Sequence, residues 1–295
     1  MLSRSRATGA ITKVRTMARM LLTRSRTRGF TLVELIMVIV LMGIVGGMVA
    51  VFMRGPVDAY MAQGRRSALT DVADTTARRI ARDVHRALPN SVRTSGTNCL
   101  EFIPTKTGGR YRAEGPGMLD FSVATNSFNL LGDNANFAGS ALPTDQVIGA
   151  GDLVVVYNLG IAGANAYAGD NTSAITSVGS ASGGETPINI TNKKFPLPSA
   201  SRRFHVIAAG EKLVSYVCNG NNLIRTVGST LSTTTSCATS GSVIATQVNC
   251  SATTFNYSGS DLQRNAVITL WLTLQDATAT EAITLHQEVH VDNTP

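Results

Sequence analysis

The sequence predicts an α+β protein in which one long N-terminal α-helix, transmembrane and then amphipathic, packs against a C-terminal antiparallel β-sheet domain. Three observations carry that expectation. Leu35 to Met53 are nineteen consecutive residues without a charge. After Gly55-Pro56, apolar residues recur every three or four positions as far as Leu88. Beyond Pro89 no long helical period returns, and short β-branched runs alternate with Gly, Asn, Ser and Thr. The chain thus divides into a basic leader (1–29), a transmembrane helix (30–54), an amphipathic helix (55–89) and a β-rich domain (90–295).

Residues 1–29 hold eight of the 26 Lys and Arg residues and no acid, and the remainder carries 18 basic against 19 acidic residues. The formal net charge of +7 is therefore a property of the leader. A nucleic-acid partner would need a basic patch on the folded domain, so none is expected. A basic segment before an apolar run holds its own side in the cytoplasm and sends the following chain outward. Met17 or Met20 could be the true start, and a start at Met20 would leave a leader of ten residues.

As a helix, Leu35–Met53 spans about 28 Å, close to the roughly 30 Å hydrocarbon thickness of a bilayer. Glu34 stands at its front, and a carboxylate at mid-membrane depth costs about 2.5–3.5 kcal/mol, less near the edge. Such an acid needs a partner. A cut after Gly29 would supply one, because the new Phe30 ammonium lies four residues from Glu34, on the same helical face. The amine of a neighbouring copy packed one step along would serve equally, and that arrangement is an assembly rule. An ordinary secretory signal would place a small-residue cleavage site after a shorter apolar core. A plain anchor leaves the Gly29–Glu34 sequence unexplained. Gly43, Gly46 and Gly47 each cost about 1 kcal/mol of helix propensity in water, but small residues let membrane helices approach closely.

Leu69, Val72, Ala73, Thr76, Ile80, Val84 and Leu88 form an apolar stripe that something downstream must cover, and Pro89 is expected to end the helix. The arginines on its other faces are interspersed with aspartates, which reads as a solvated surface. Strands are expected at Cys99–Ile103, Asp152–Tyr157, Phe204–Ile207, Leu213–Cys218, Leu223–Val227, Ser242–Val248, Ala266–Leu274 and Glu281–Val291. In the last two, Ile268, Leu270, Leu272 and Leu274 share one face, as do Ile283, Leu285, Val289 and Val291, predicting an antiparallel pair with one side buried. The polar stretches Asn126–Ala150 and Gly160–Pro187 read as surface excursions.

Four cysteines, Cys99, Cys218, Cys237 and Cys250, lie in the outward part, where disulfides are permitted. They allow three pairings. Cys218 and Cys237 flank one strand region, which favours Cys218 with Cys237 and Cys99 with Cys250. No pair has zinc-ligand spacing. His286 and His290 on a strand are roughly 13 Å apart, too far to share an ion. His85 and His205 have no visible catalytic partner. Asp133-Asn134 and Asp170-Asn171 are explained by turn formation without calcium. No convergent acid, base and nucleophile set is visible, so neither an enzyme, a metal nor a cofactor is expected.

Gly29-Phe30-Thr31-Leu32-Val33-Glu34, preceded by Arg28 and followed by the apolar run, resembles the class III signal of type IV prepilins and type II secretion pseudopilins. The resemblance implies a pilin-like fold, cleavage by a membrane peptidase after Gly29, methylation of the Phe30 amine, and a docking role for Glu34 in a helical filament. Many relatives carry a proline within the membrane part of this helix; here Pro56 is the first after the cleavage site, beyond the uncharged run. Ala87-Leu88-Pro89-Asn90-Ser91-Val92-Arg93, Cys99-Leu100-Glu101-Phe102-Ile103-Pro104, Gly108-Gly109-Arg110-Tyr111-Arg112 and Glu288-Val289-His290-Val291 resemble minor pilins of the mannose-sensitive haemagglutinin (MSHA) pilus system. That implies a low-copy subunit that primes or caps assembly, first single-pass in the inner membrane with its domain in the periplasm, then in a surface pilus. Its implied partners are other pilins, major and minor, the prepilin peptidase and the inner-membrane assembly platform. A type II secretion minor pseudopilin and a pilus-borne adhesin are the alternatives.

Overall fold

A computed structural model describes residues 29–258, 265–278 and 280–295. The basic leader up to Arg28, with both candidate starts, lies outside the described residues. The chain forms two units, one ending at Val57 and one beginning at Asp58. A single helix, Leu32–Val84, runs through the boundary with Pro56 inside it.

In the second unit the helix buries Leu69, Ala73, Thr76, Ala77, Ile80 and Val84. Their spacing of three or four residues keeps them on one face. Val72, expected within this stripe, is instead 41% exposed. It lies nearly a quarter-turn from the stripe's centre at about 100° per residue, where the sheet does not reach it. The helix also ends earlier than expected, at Val84 rather than Pro89. Arg86 N–H and Ala87 N–H bond the carbonyls three residues back, Ala87 pairs with Pro104, and Leu88 N–H donates to Ile103 O at 2.7 Å. A strand has claimed the backbone groups that would have continued the helix. Leu88 is buried with Ile103, Val155, Ala166, Tyr167, Ile207 and Leu213, separately from the helix stripe.

The helix face is covered by two antiparallel sheets. The five-stranded one has the order Arg93–Ser95, Cys99–Phe102, Leu213–Asn219, Asn222–Gly228, Ser242–Thr246. The three-stranded one joins Thr254–Ser258, Asn265–Gln275 and Ala282–Asp292, including the expected C-terminal pair. Leu100, Phe102, Val214, Tyr216 and Cys218 share a core with the helix stripe and with Ile268, Leu270, Leu272, Leu274, Val289 and Val291. At the helix end Tyr216 donates its hydroxyl to Asp83 at 2.7 Å, and Arg225 reaches both Asp83 and Glu211. Burial, with the Asp83 carboxylate beside it, pushes the Tyr216 phenol above its usual range.

The stretches expected to be surface excursions contain strands. Thr107–Arg110, Arg203–Ile207, Leu153–Val155, Thr172–Val178, Glu185–Lys193 and Thr125–Leu131 form a six-stranded sheet in that order. Its ends meet through the Tyr111–Leu130 bridge and Arg112 N–H donating to Asn129 O, which closes it into a barrel. Phe128, Ile175, Ile188, Phe195, Phe204 and Val206 fill the interior. The barrel is inserted between Cys99–Phe102 and Leu213–Asn219, which are themselves hydrogen-bonded neighbours. Leu153–Val155 and Arg203–Ile207 were expected as strands, whereas Thr125–Leu131, Thr172–Val178 and Glu185–Lys193 escaped the sequence reading because mainly alternate positions face inward and those between are mostly Asn, Ser, Thr and Pro187.

The disulfides are Cys99–Cys237 and Cys218–Cys250, which corrects the expected pairing. Side chains alternate between faces along a strand. Leu100, Phe102, Val214, Tyr216 and Cys218 face the helix, so Cys99 and Glu101 face away. Each cysteine on the two neighbouring strands pairs with the one available on its own side. Cys237 belongs to a segment lying over the outer face, where Ser236 N–H donates to the fully buried Glu101 at 3.0 Å. Arg93 pairs with Glu101, reaches the carbonyls of Ser232, Thr233 and Thr234, and stacks on Tyr167 at 3.6 Å.

Truncating the helix face at its centre tests this packing. Ile80→Ala should destabilise the full-length protein in detergent by about 2–5 kcal/mol in urea unfolding, while Val72→Ala should change it by less than about 0.5 kcal/mol.

Candidate functional site

The candidate site is the start of the long helix. The first i to i−4 bond runs from Leu35 N–H to Thr31 O, which makes Thr31 the N-cap. Thr31 Oγ1 accepts from Glu34 N–H at 3.2 Å, and Glu34 Oε2 accepts from Thr31 N–H at 3.3 Å. This reciprocal arrangement is a capping box. The Thr31 hydroxyl also lies 3.4 Å from Glu34 Oε2. The box turns the Glu34 carboxylate back toward the N-terminal end of the helix, where the helix dipole favours negative charge. Among the described residues only Oε2 is engaged, which leaves Oε1 to accept from a further donor. The Thr-x-x-Glu spacing is legible in the sequence, but the reading of Glu34 as an acid seeking an amine passed over it.

Gly29 and Phe30 precede the helix. A side chain at Gly29 would meet nothing within 4 Å, and Phe30 is 81% exposed. The bond between them is therefore open to a peptidase. Cutting it leaves the Thr31 amide intact, so the capping box survives cleavage.

From Leu32 to Met53 no side chain is buried, and the best 18-residue window of the helix has a mean hydropathy of 2.8. By length and composition this helix can cross a membrane. A helix apolar all round is stable only in lipid or among other apolar helices. Gly43, Gly46 and Gly47 likewise have nothing within 4 Å of an added Cβ, leaving a smooth surface for such a neighbour.

The other candidates lie elsewhere and are not brought together. His286 lies against Trp271 with ring centroids 4.4 Å apart and the planes tilted by 53°, and His290 is opposite Val267 on the same exposed face. Among the described residues no three His, Cys, Asp or Glu side chains gather as metal ligands would. Asp133 accepts from Ala135 N–H and Asn136 Nδ2, and Asp170 from Gly163 and Asn165 N–H, so both serve turns. His85 lines a polar recess with Arg86, Lys106 and Glu211. His205 is half-buried, and its Nε2, itself shielded from solvent, has no hydrogen-bond partner among the described residues. Burial first, then the Arg203 cation, holds its pKa below the usual value, against a smaller opposing effect of Asp292. Two polar networks were not read from the sequence. Arg93 and Glu101 are eight residues apart across a hairpin and were within reach of a cross-strand argument, whereas Asp83 and Arg225, 142 apart, carry no sequence signal.

Comparison with known proteins agrees with this geometry. The prokaryotic N-terminal methylation motif matches residues 24–50, which include Gly29, Phe30 and Glu34. No curated protein and no solved structure matches the chain. The motif, a prepilin signal of the type IV pilin kind, supports a pilin-like or pseudopilin protein. Its apolar helix is compatible with membrane anchoring.

Two measurements follow from this geometry. Thr31→Ala should weaken the helix start by about 0.5–2 kcal/mol, seen as faster amide hydrogen exchange at Glu34 and Leu35 in detergent micelles. His205 is held neutral in the fold while the unfolded chain takes up a proton below about pH 6.5. Its contribution is therefore complete above that pH and is lost as pH falls toward its lower folded value. His205→Gln should flatten the decline in urea stability as pH falls below about 6.5.

Proposed function

We propose that the protein is a minor pilin of an MSHA-like type IV pilus, similar to MshO, which primes or caps filament assembly. The observation that carries this reading is the capped, outward-facing Glu34 at the head of an unburied apolar helix, directly after the open Gly29-Phe30 bond. Prepilin peptidase cuts after Gly29, and the Phe30 amine is methylated. Before assembly the chain is single-pass in the inner membrane with its β-rich domain in the periplasm; afterwards it belongs to a surface pilus. Its partners are major and minor pilins and the inner-membrane assembly platform. Its action is non-covalent, and it is not an enzyme. The apolar helix leaves lipid for a bundle of like helices, and Glu34 sets its register against the Phe30 amine of a neighbour. Capping by Thr31 orients the carboxylate before the neighbour arrives, so less side-chain freedom is lost on docking. The presence of Glu34 fits a subunit that docks onto another rather than one standing first.

Intact mass and N-terminal sequencing of protein from hosts with and without the peptidase test the reading. A peptidase-dependent start at N-methyl-Phe30 is expected. Glu34→Ala should still be cleaved but enter sheared filaments at a tenth of the wild-type level or less, about 1.4 kcal/mol or more of lost docking. A retained leader, or normal incorporation of Glu34→Ala, overturns it. Loss of secretion rather than of pili on deleting the gene would assign the chain to a type II secretion pseudopilus.

A further inference from the structure

We infer that the outer wall of the barrel carries a site for one tetrahedral oxyanion, a phosphate or sulfate group, held between Arg110 and Arg203. The two arginines stand directly opposite each other on the neighbouring strands Thr107–Arg110 and Arg203–Ile207, and both are exposed. Phe204 and Val206 fill the interior, so Arg203 and His205 face outward. Side chains placed opposite each other start about 4.5–5.5 Å apart, and like charges there destabilise a sheet. Other cations of the barrel are matched: Lys106, Arg112 and Arg202 pair with Asp152, Glu185 and Glu114. Among the described residues no carboxylate pairs with Arg110 or Arg203. The repulsion is left for something outside the chain to offset.

The surface beside the pair is open. Two positions along, Gly108 is opposite His205, and a Cβ there would come within 2.9 Å of the Phe204 carbonyl oxygen, so the position stays bare. Gly108, Gly109, Arg110, Arg203, Phe204 and His205 line a recess of about 240 Å³. That is below the roughly 300–1,000 Å³ of drug-sized ligand sites and suits a single ionic group. His205 belongs to the same wall, and its Nε2 is a shielded polar atom without a partner among the described residues. Arg203 acts on His205 more strongly than Asp292 does, so the excess charge at the recess is positive. A guanidinium is a planar fork that binds phosphate or sulfate oxygens in pairs. Two forks on one anion turn a repulsion into attraction for a shared counter-charge. A nucleic acid needs a longer basic stripe, and beyond the leader the chain carries 18 basic against 19 acidic residues. Arginines on a strand at the end of a sheet also keep other strands away, a role that needs the charge and not the fork.

The test titrates the full-length protein in maltoside detergent with sodium phosphate, sodium sulfate or glucose-6-phosphate at constant ionic strength, followed by calorimetry. Saturable one-to-one binding of phosphate or sulfate is expected. Arg110→Gln and Arg203→Gln should each weaken it by about tenfold or more, the loss of charge-assisted hydrogen bonds. Arg110→Lys, which keeps the charge without the fork, should weaken it comparably. Arg79→Gln, at an exposed helix position, should leave it unchanged. Without any oxyanion, Arg110→Gln should unfold at the wild-type urea concentration or a higher one, because it relieves the like-charge pair. Glucose-6-phosphate bound as tightly as phosphate identifies a sugar ester as the source, and binding of the free ions alone identifies those; both outcomes support the site. No saturable binding, binding that survives in the Arg110→Gln/Arg203→Gln double variant, or binding of duplex DNA alone overturns it. An Arg110→Gln variant less stable than wild type without oxyanion overturns it too, since the pair is then held by the fold itself.

Discussion

The buried helix face from Leu69 to Val84 is the contact on which the domain depends. Two sheets from separate parts of the chain turn their apolar sides to it, so neither has an independent reason to fold where it does. The five-stranded sheet supplies Leu100, Phe102, Val214 and Tyr216, and the three-stranded one supplies Ile268 to Leu274. Ala73 and Ala77, small and fully buried, let both sheets come close to the helix axis. Fixing these faces also fixes which residues look outward, and the rest of the architecture follows from that alternation.

Its first consequence is the outer layer. Glu101 must point away from the helix, and a buried carboxylate without partners costs several kcal/mol. Arg93, Ser236 N–H and the Ser215 hydroxyl supply those partners. Arg93 then needs a cover of its own, found in three carbonyls and the Tyr167 ring. The Cys99–Cys237 bond holds the covering segment in place across a separation of 138 residues. The Tyr167 ring under Arg93 thus ties the barrel-bearing insertion to the sheet it interrupts, and the disulfide ties the segment ending at Cys237 to the same sheet. The ion pair's main effect is positional, since pairs of this kind seldom add net stability over apolar replacements.

At the other end of the helix the same physics runs without a cover. Leu32 to Met53 are as apolar as the core, yet none is buried within the chain, and the polar contacts there belong to Thr31 and Glu34. A surface of this kind has to be satisfied by something outside the chain. Glu34 is held ready at its tip by its own helix, so one residue both starts the helix and presents a carboxylate. That double use links the helix's folding to its proposed assembly.

The sequence by itself determined the N-terminal site and the class of fold. Uncharged length, the Gly29–Glu34 spacing and the period of the helix are local properties, written within a few turns of chain. The C-terminal strand pair was legible for the same reason, because strict alternation over nine residues needs no distant partner. Tertiary structure alone decided the closure of the barrel, the cysteine pairing, the early end of the helix at Val84 and the exposure of Val72. Each depends on register between segments far apart in sequence. In the barrel, single inward residues such as Phe128 and Ile175 stand among Asn, Ser and Thr, and they gain their apolar partners only when six strands curl together. Spacing along the chain put Cys218 near Cys237; the pleat put them on opposite faces of a sheet, and the faces decided.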